Sequence, residues 1–167
     1  MEIICFHNPD EENGYLSNWY ESKFIVDHVK FSSMEQFMMY QKAITFQDQT
    51  IAKEILQIKD SAKIKLMGRQ VRNYNDHIWN GIRQIVVYEG LIAKFSQNEE
   101  LKKQLKGTKT AILAECAVKD RIWGIGLSMK DLKRFDITQW RGQNLLGYAL
   151  MAVSYTHLRA HETDQYL

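Results

Sequence analysis

The sequence predicts a mainly helical α+β fold, a single compact domain with a small strand component, and three observations carry that prediction. The chain has 167 residues, 45% of them hydrophobic, enough for one domain to bury a real core. Pro9 is its one proline, so long stretches are free to be helical. Runs with helical spacing behind capping residues dominate, and only a few short segments alternate as strands do.

In order along the chain, EIICFH (2–7) alternates enough for a strand. SKFIVDHVKFS (22–32) reads as two short strands around Asp27 and His28, a hairpin with His where Gly would be easiest. Ser32 and Ser33 each stand ahead of an acid or amide, Glu35 and Gln36, so either can cap a helix over 33–44. Asp48 starts a second helix with Ile51, Ile55 and Ile58 on one face. DSAKIKLMGRQV (60–71) gives a short helix closed by Gly68. A long helix follows from about Asp76 to Phe95, with Ile78, Ile82, Ile85, Val86 and Ile92 as its core stripe. Ser96 caps another helix, ending at Gly107, and TAILAECA (110–117) is the best later strand. A last helix runs from about Gln143 to Val153. No repeat, linker or low-complexity run splits residues 1–153. Residues 154–167 have no helical period and read as a tail outside the native fold, resembling translated vector or adapter sequence.

Net charge is +2, so no broad field favours nucleic acid or a membrane surface. No run of apolar residues approaches membrane-spanning length, and MEIICFHNPDEENG is too short and acidic for a signal peptide. A cytoplasmic protein is expected. Cys5 and Cys116 fit no metal spacing and are expected to be reduced thiols.

FSSMEQFMMYQKAITF (31–46) is the densest stretch. Glu35, Met39 and Lys42 fall on one face, and the two ionisable residues start ~10 Å apart along the axis. Phe37, Met38, Tyr40, Gln41 and Ile44 fill much of the remaining circumference, which predicts a buried helix. Its carboxylate and amine must then be paired, solvated in a pocket, or shifted in pKa. Taken alone, the stretch fits a structural pair or a catalytic one.

Four other stretches bring aromatics together with Arg, Asn and Gly. Asn18 and Trp19 precede the hairpin, Arg69 and Arg72 lie near Tyr74 and Trp79, Asp120, Trp123 and Gly124 follow a strand, and Gly142 and Asn144 open a helix. A nucleotide pocket needs such groups: rings stack on a base, Arg holds phosphate, and Gly admits the backbone. Each has a plainer use, Trp79 as core and Asn144 as a helix cap. Gly124 and Gly126 lack the third glycine and the context of a dinucleotide fingerprint.

The order of motifs says more. LSNWY, SxEQFMMYxKAxxF, GRxV, KFxQNxxL, LxExxxxDxxWGIG and WxGxNxLGxALM, over about residues 4–153, resemble the NADAR family, also called YbiA-like. The resemblance implies a single mainly helical α+β domain and cleavage of N-glycosidic bonds, in phosphorylated riboflavin-pathway intermediates or in ADP-ribosylated guanine. It implies catalytic roles for Glu35, Lys42 and Asp120. It likewise implies substrate contacts by Asn18, Trp19, Arg69, Trp79, Trp123, Gly124 and Asn144. His28, Cys116 and the tail from Ser154 depart from the family pattern.

The residue types suit that chemistry. Breaking the N–C1 bond of ribose builds positive charge on the sugar and negative charge on the leaving nitrogen. A carboxylate can steady the first, and a proton donor must serve the second. If the sugar ring opens, an amine of lowered pKa can form a Schiff base at the exposed carbon. No metal-ligand spacing is present, so a cofactor-independent hydrolase is expected, acting on a nucleotide-like molecule or on modified guanine in nucleic acid. The alternative is a module that binds ADP-ribose or another nucleotide without cleaving it. That module would not need Glu35 and Lys42 on one face.

Overall fold

The computed structural model describes Met1–Arg159, and the part of the expected tail that covers 160–167 lies outside the described residues. The chain forms two units. One combines Met1–Tyr20 with the chain from Glu99 onward, and the other is Glu21–Asn98. The mainly helical α+β class holds, with strands confined to two two-stranded sheets. No helix among the described residues is long and apolar enough to cross a membrane.

The Glu21–Asn98 unit starts with the hairpin β2 (Phe24–Val26) and β3 (Val29–Phe31), paired antiparallel with Val26 opposite Val29. Asp27 and His28 both take positive φ, 48° and 67°, the two-residue turn that matches strand twist. Helix α1 (Met34–Thr45) starts at Ser33, whose side chain accepts the Gln36 N–H. The Gln36 carbonyl oxygen in turn accepts the Ser32 N–H at 2.7 Å, closing a reciprocal cap. Its amide nitrogen reaches the carbonyls of Ile55 and Ile58 at 3.1 and 2.9 Å, so one buried amide fastens α1 to the end of α2 (Gln49–Leu56). Phe31 packs edge-on against Phe37 and Tyr40, with ring centroids 5.1 and 5.3 Å apart.

Helix α3 (Ser61–Gly68) is capped by Asp60, and α4 (Asp76–Ser96) by Asn75. The expected core stripe of α4 holds in part, since Ile82 and Val86 pack against the buried cluster, and is corrected at Ile78 and Ile85. Ile78 is 50% exposed and Ile85 68%, while Trp79, Val87, Gly90, Leu91, Lys94 and Phe95 are buried. The stripe is rotated because the small Gly90 faces Phe37 and Met34 of α1, and the helix is buried around that point of closest approach. Ser96 ends α4 and does not cap the next helix. The Gln97 side chain then brackets β2, accepting the Ile25 N–H and donating to the Ile25 carbonyl, both at 2.8 Å.

In the other unit, β1 (Ile3–Phe6) pairs in parallel with β4 (Ile112–Glu115), in register Cys5 with Ala114. Both thiols are buried, in a cluster with Ala114, Ile125 and Leu127. Helix α5 (Glu99–Gly107) precedes β4, and α6 (Leu145–Ala152) lies across it. Gly147 permits that contact, since a Cβ there would run into the Leu113 carbonyl oxygen. The helix expected to end at about Val153 continues in π geometry over Val153–Leu158, against α5. Ser154 and Leu158 are buried, so these positions are packed although their polarity shows no helical period.

Candidate active site

Helix α1 starts beneath the hairpin, so Glu35 in its first turn is buried, while Lys42 one face-repeat later is half-buried. Between them Met39 lies against Gly68, which has no Cβ to hold it off. Gly68 closes α3 as expected, as its last helical residue, and its missing side chain lets α3 press on α1. The next residue is Arg69, which brings its guanidinium into the field of Lys42. The chain after Arg69 is pinned by Asp48. That carboxylate caps α2 through the Ile51 N–H and takes the Arg72 N–H at 2.9 Å. The Arg72 N–H is the main reason the Asp48 carboxyl titrates below its ordinary range.

Lys42 is therefore the meeting point of several groups. Burial and then the Arg69 charge push its amine below the ordinary lysine value, while Glu35 and Asp76 pull the other way. Its Nζ sits 4.4 Å from the centre of the Tyr74 ring. Three residues expected from sequence, Glu35, Lys42 and Arg69, are thus gathered in one unit. Trp79 is in the same unit but 6% exposed, in a buried cluster with Phe46, Ile55, Ile64 and Val71. It packs as core, not as an open stacking surface.

The remaining expected residues belong to the other unit. Asn18 is half-buried and Trp19 exposed, its N–H bonded to the Ser17 hydroxyl at 3.1 Å. The Asp120 carboxylate accepts the N–H groups of Ile122 at 3.0 Å and Trp123 at 2.8 Å, which shapes the loop. Gly124 is buried where a Cβ would lie 2.9 Å from the carbonyls of Glu115 and Asp120. Asn144 is fully buried, has φ 53°, and makes no side-chain cap for α6. Its side-chain oxygen accepts the Glu115 N–H at 3.0 Å and its nitrogen donates to the Leu113 carbonyl at 2.8 Å. Its observed work is to bind α6 to β4.

Sequence reasoning named Tyr74 only as an aromatic near Arg69 and Arg72, and passed over Asp76, Glu115 and Lys94 as site residues. Tyr74 and Asp76 surround Lys42. Glu115, within LxExxxxDxxWGIG, lies 3.2 Å from His7 Nδ1; burial pushes its carboxyl up, and its bond raises the His7 imidazole. Lys94, the only charged residue in GLIAKF, is fully buried. A lone Lys in so apolar a run was the available signal. Burial pushes its amine down to about 7. The unfolded chain then holds a proton that the folded one releases between about 7 and the ordinary 10.5, so Lys94 makes stability rise with pH across that window. Below it the full cost of the buried charge applies. Lys94→Met should flatten the rise, measured by urea denaturation at about pH 7 and about pH 10. Parallel pH dependence in both proteins would refute that assignment.

The sequence pattern of the NADAR domain matches residues 5–156. An N-glycosidase of Acanthamoeba polyphaga mimivirus is 35% identical over 160 residues, covering 91% of this chain and 94% of that protein. A riboflavin biosynthesis protein of Vibrio vulnificus is 31% identical over 150 residues, 90% of this chain but 37% of that longer protein. The NMR structure of the E. coli protein YbiA superposes with a TM-score of 0.76 at 27% identity, over 99% of this chain and 87% of that one.

Proposed function

This chain belongs to the NADAR family, and from that premise we propose that it is an N-glycosidase that hydrolyses the N–C1 ribosyl bond of a nucleotide-like substrate. The reading names two substrate classes, a phosphorylated riboflavin-pathway intermediate and ADP-ribosylated guanine. The observation that carries it is the grouping of Glu35, Lys42 and Arg69 around one half-buried amine.

Each group has a part in the reaction. As the N–C1 bond breaks, the Glu35 carboxylate steadies the positive charge that gathers on the sugar. Lys42 serves the leaving nitrogen as proton donor or, where the ring opens to an aldehyde-level carbon, attacks that carbon as a neutral amine. Its lowered pKa makes the neutral amine more accessible than in an ordinary lysine. Arg69 is exposed and beside the amine, suited to hold a substrate phosphate. Water supplies hydroxyl to C1 and hydrogen to the departing nitrogen.

The name of the mimivirus relative supports the bond type, and that of the Vibrio protein supports the riboflavin-pathway class. The test is mass spectrometry of products after incubation with ADP-ribosylated guanosine and, separately, ribosylaminopyrimidine phosphate. Either ADP-ribosylated guanosine should yield ADP-ribose and guanosine, or the ribosylaminopyrimidine phosphate should yield ribose phosphate and the free aminopyrimidine. Tight binding of both with no cleavage would leave a nucleotide-binding module.

A further inference from the structure

A lysine side chain has four rotatable bonds, and ordering it costs more rotamer entropy than most side chains. Lys42 is half-buried near the end of α1, so something must fix where its amine points. The groups that do so come from the loop that enters α4. Asn73 turns the chain with φ 60°, and Tyr74 follows with its ring under the Lys42 Nζ at 4.4 Å, within cation–π range.

That ring is held at two places. Phe46, which ends α1, meets it edge-on with centroids 5.3 Å apart and planes at 73°. The Tyr74 hydroxyl donates to Asp76 Oδ1 at 2.8 Å, and Asp76 Oδ2 accepts from Asn80 Nδ2 at 3.3 Å. Asp76 is the first residue of α4, so the chain of contacts runs from the helix start through carboxylate and ring to the amine. Phe46 and Asp76 thus hold the ring at its edge and at its hydroxyl.

We propose that Tyr74 and Asp76 are positioning residues for Lys42, the ring fixing the direction of the amine and the carboxylate fixing the ring. This rests on the catalytic reading of Lys42 given above. The same carboxylate biases the charge of the amine. The charged groups that act on Lys42 are Arg69 at the end of α3, Glu35 on α1 itself, and Asp76 at the start of α4; Asp48 at the start of α2 is bonded to Arg72. Glu35 and Asp76 favour the ammonium and Arg69 disfavours it. Removing Asp76 therefore leaves Arg69 less opposed.

The direct measurement follows the Lys42 amine by NMR after reductive methylation with carbon-13 formaldehyde, its signal assigned by loss in Lys42→Arg. Asp76→Asn should move the titration midpoint to lower pH. The limb of the kcat–pH profile that belongs to Lys42 should move the same way, whether the amine acts as nucleophile or as proton donor. Tyr74→Leu should lower kcat roughly tenfold with little change in KM, and Tyr74→Phe, which keeps the ring and its Phe46 contact but loses the bond to Asp76, should recover only part of that loss. An unmoved midpoint in Asp76→Asn, or wild-type kcat in Tyr74→Leu, would overturn the assignment. The NMR midpoint needs no substrate, so it stands or falls separately from the catalytic role of Lys42.

Discussion

Glu35→Gln and Lys42→Ala should each lower kcat by at least ~100-fold while the fold survives, the usual scale for lost acid–base or nucleophilic help. Glu35→Gln keeps the volume of a buried side chain and removes only its charge. Lys42→Ala removes the amine and leaves the Tyr74 ring without its cation. If the two groups act in one step, the double variant should be little slower than either single one, because the second loss removes help already gone. Independent contributions would multiply instead. Borohydride added during turnover should trap a sugar adduct on Lys42 where a Schiff base forms, read as a mass increase on the peptide containing it. An inactive Lys42→Ala without an adduct would make the amine a proton donor. Full activity in both single variants would return this helix to a structural role.

How much of this was legible in the sequence depended on the range of the forces involved. Local rules worked where the determinants are local. Ser33, Asp48, Asp60 and Asn75 cap helices with their own side chains, and the left-handed pair Asp27 and His28 turns the hairpin. The face shared by Glu35 and Lys42 is likewise a property of one helix. Packing between helices was not legible. The five apolar positions chosen for the α4 stripe have acceptable helical spacing, yet Gly90 decides which side meets α1, and periodicity gives a glycine no weight. Gly68 does end α3, but the sequence cannot show Met39 lying against it. The same limit hid Tyr74 from the site. Its place under Lys42 depends on Phe46 and on a turn at Asn73, neither of which the spacing of Arg69, Arg72 and Tyr74 reveals. Only the parallel pairing of β1 with β4, across more than one hundred intervening residues, is further from local reasoning.

Asn144 is the residue for which ligand contact and structural anchor predict opposite experiments. Asn144→Ala should cost about 3–7 kcal/mol of stability, a large part of the ~5–15 kcal/mol a domain of this size holds. Two losses build that figure. The Glu115 N–H and the Leu113 carbonyl both lose their side-chain partner in a fully buried place, at ~1–3 kcal/mol each. Alanine must also adopt the left-handed φ of 53°, which asparagine tolerates better, at ~1 kcal/mol. Water cannot easily replace the amide, since Gly147 brings α6 so close to the Leu113 carbonyl that even a Cβ would not fit. Urea denaturation should show a lower midpoint at unchanged slope. Asn144→Asp separates the two bonds: it keeps an acceptor for the Glu115 N–H but sets a carboxylate oxygen against the Leu113 carbonyl, so it should be destabilised as well, and less so at low pH where the acid can donate. At a temperature where the alanine variant is still folded, KM should match the parent chain. A raised KM at full stability would return the Asn144 amide to the substrate and leave α6 held to β4 by its apolar contacts alone.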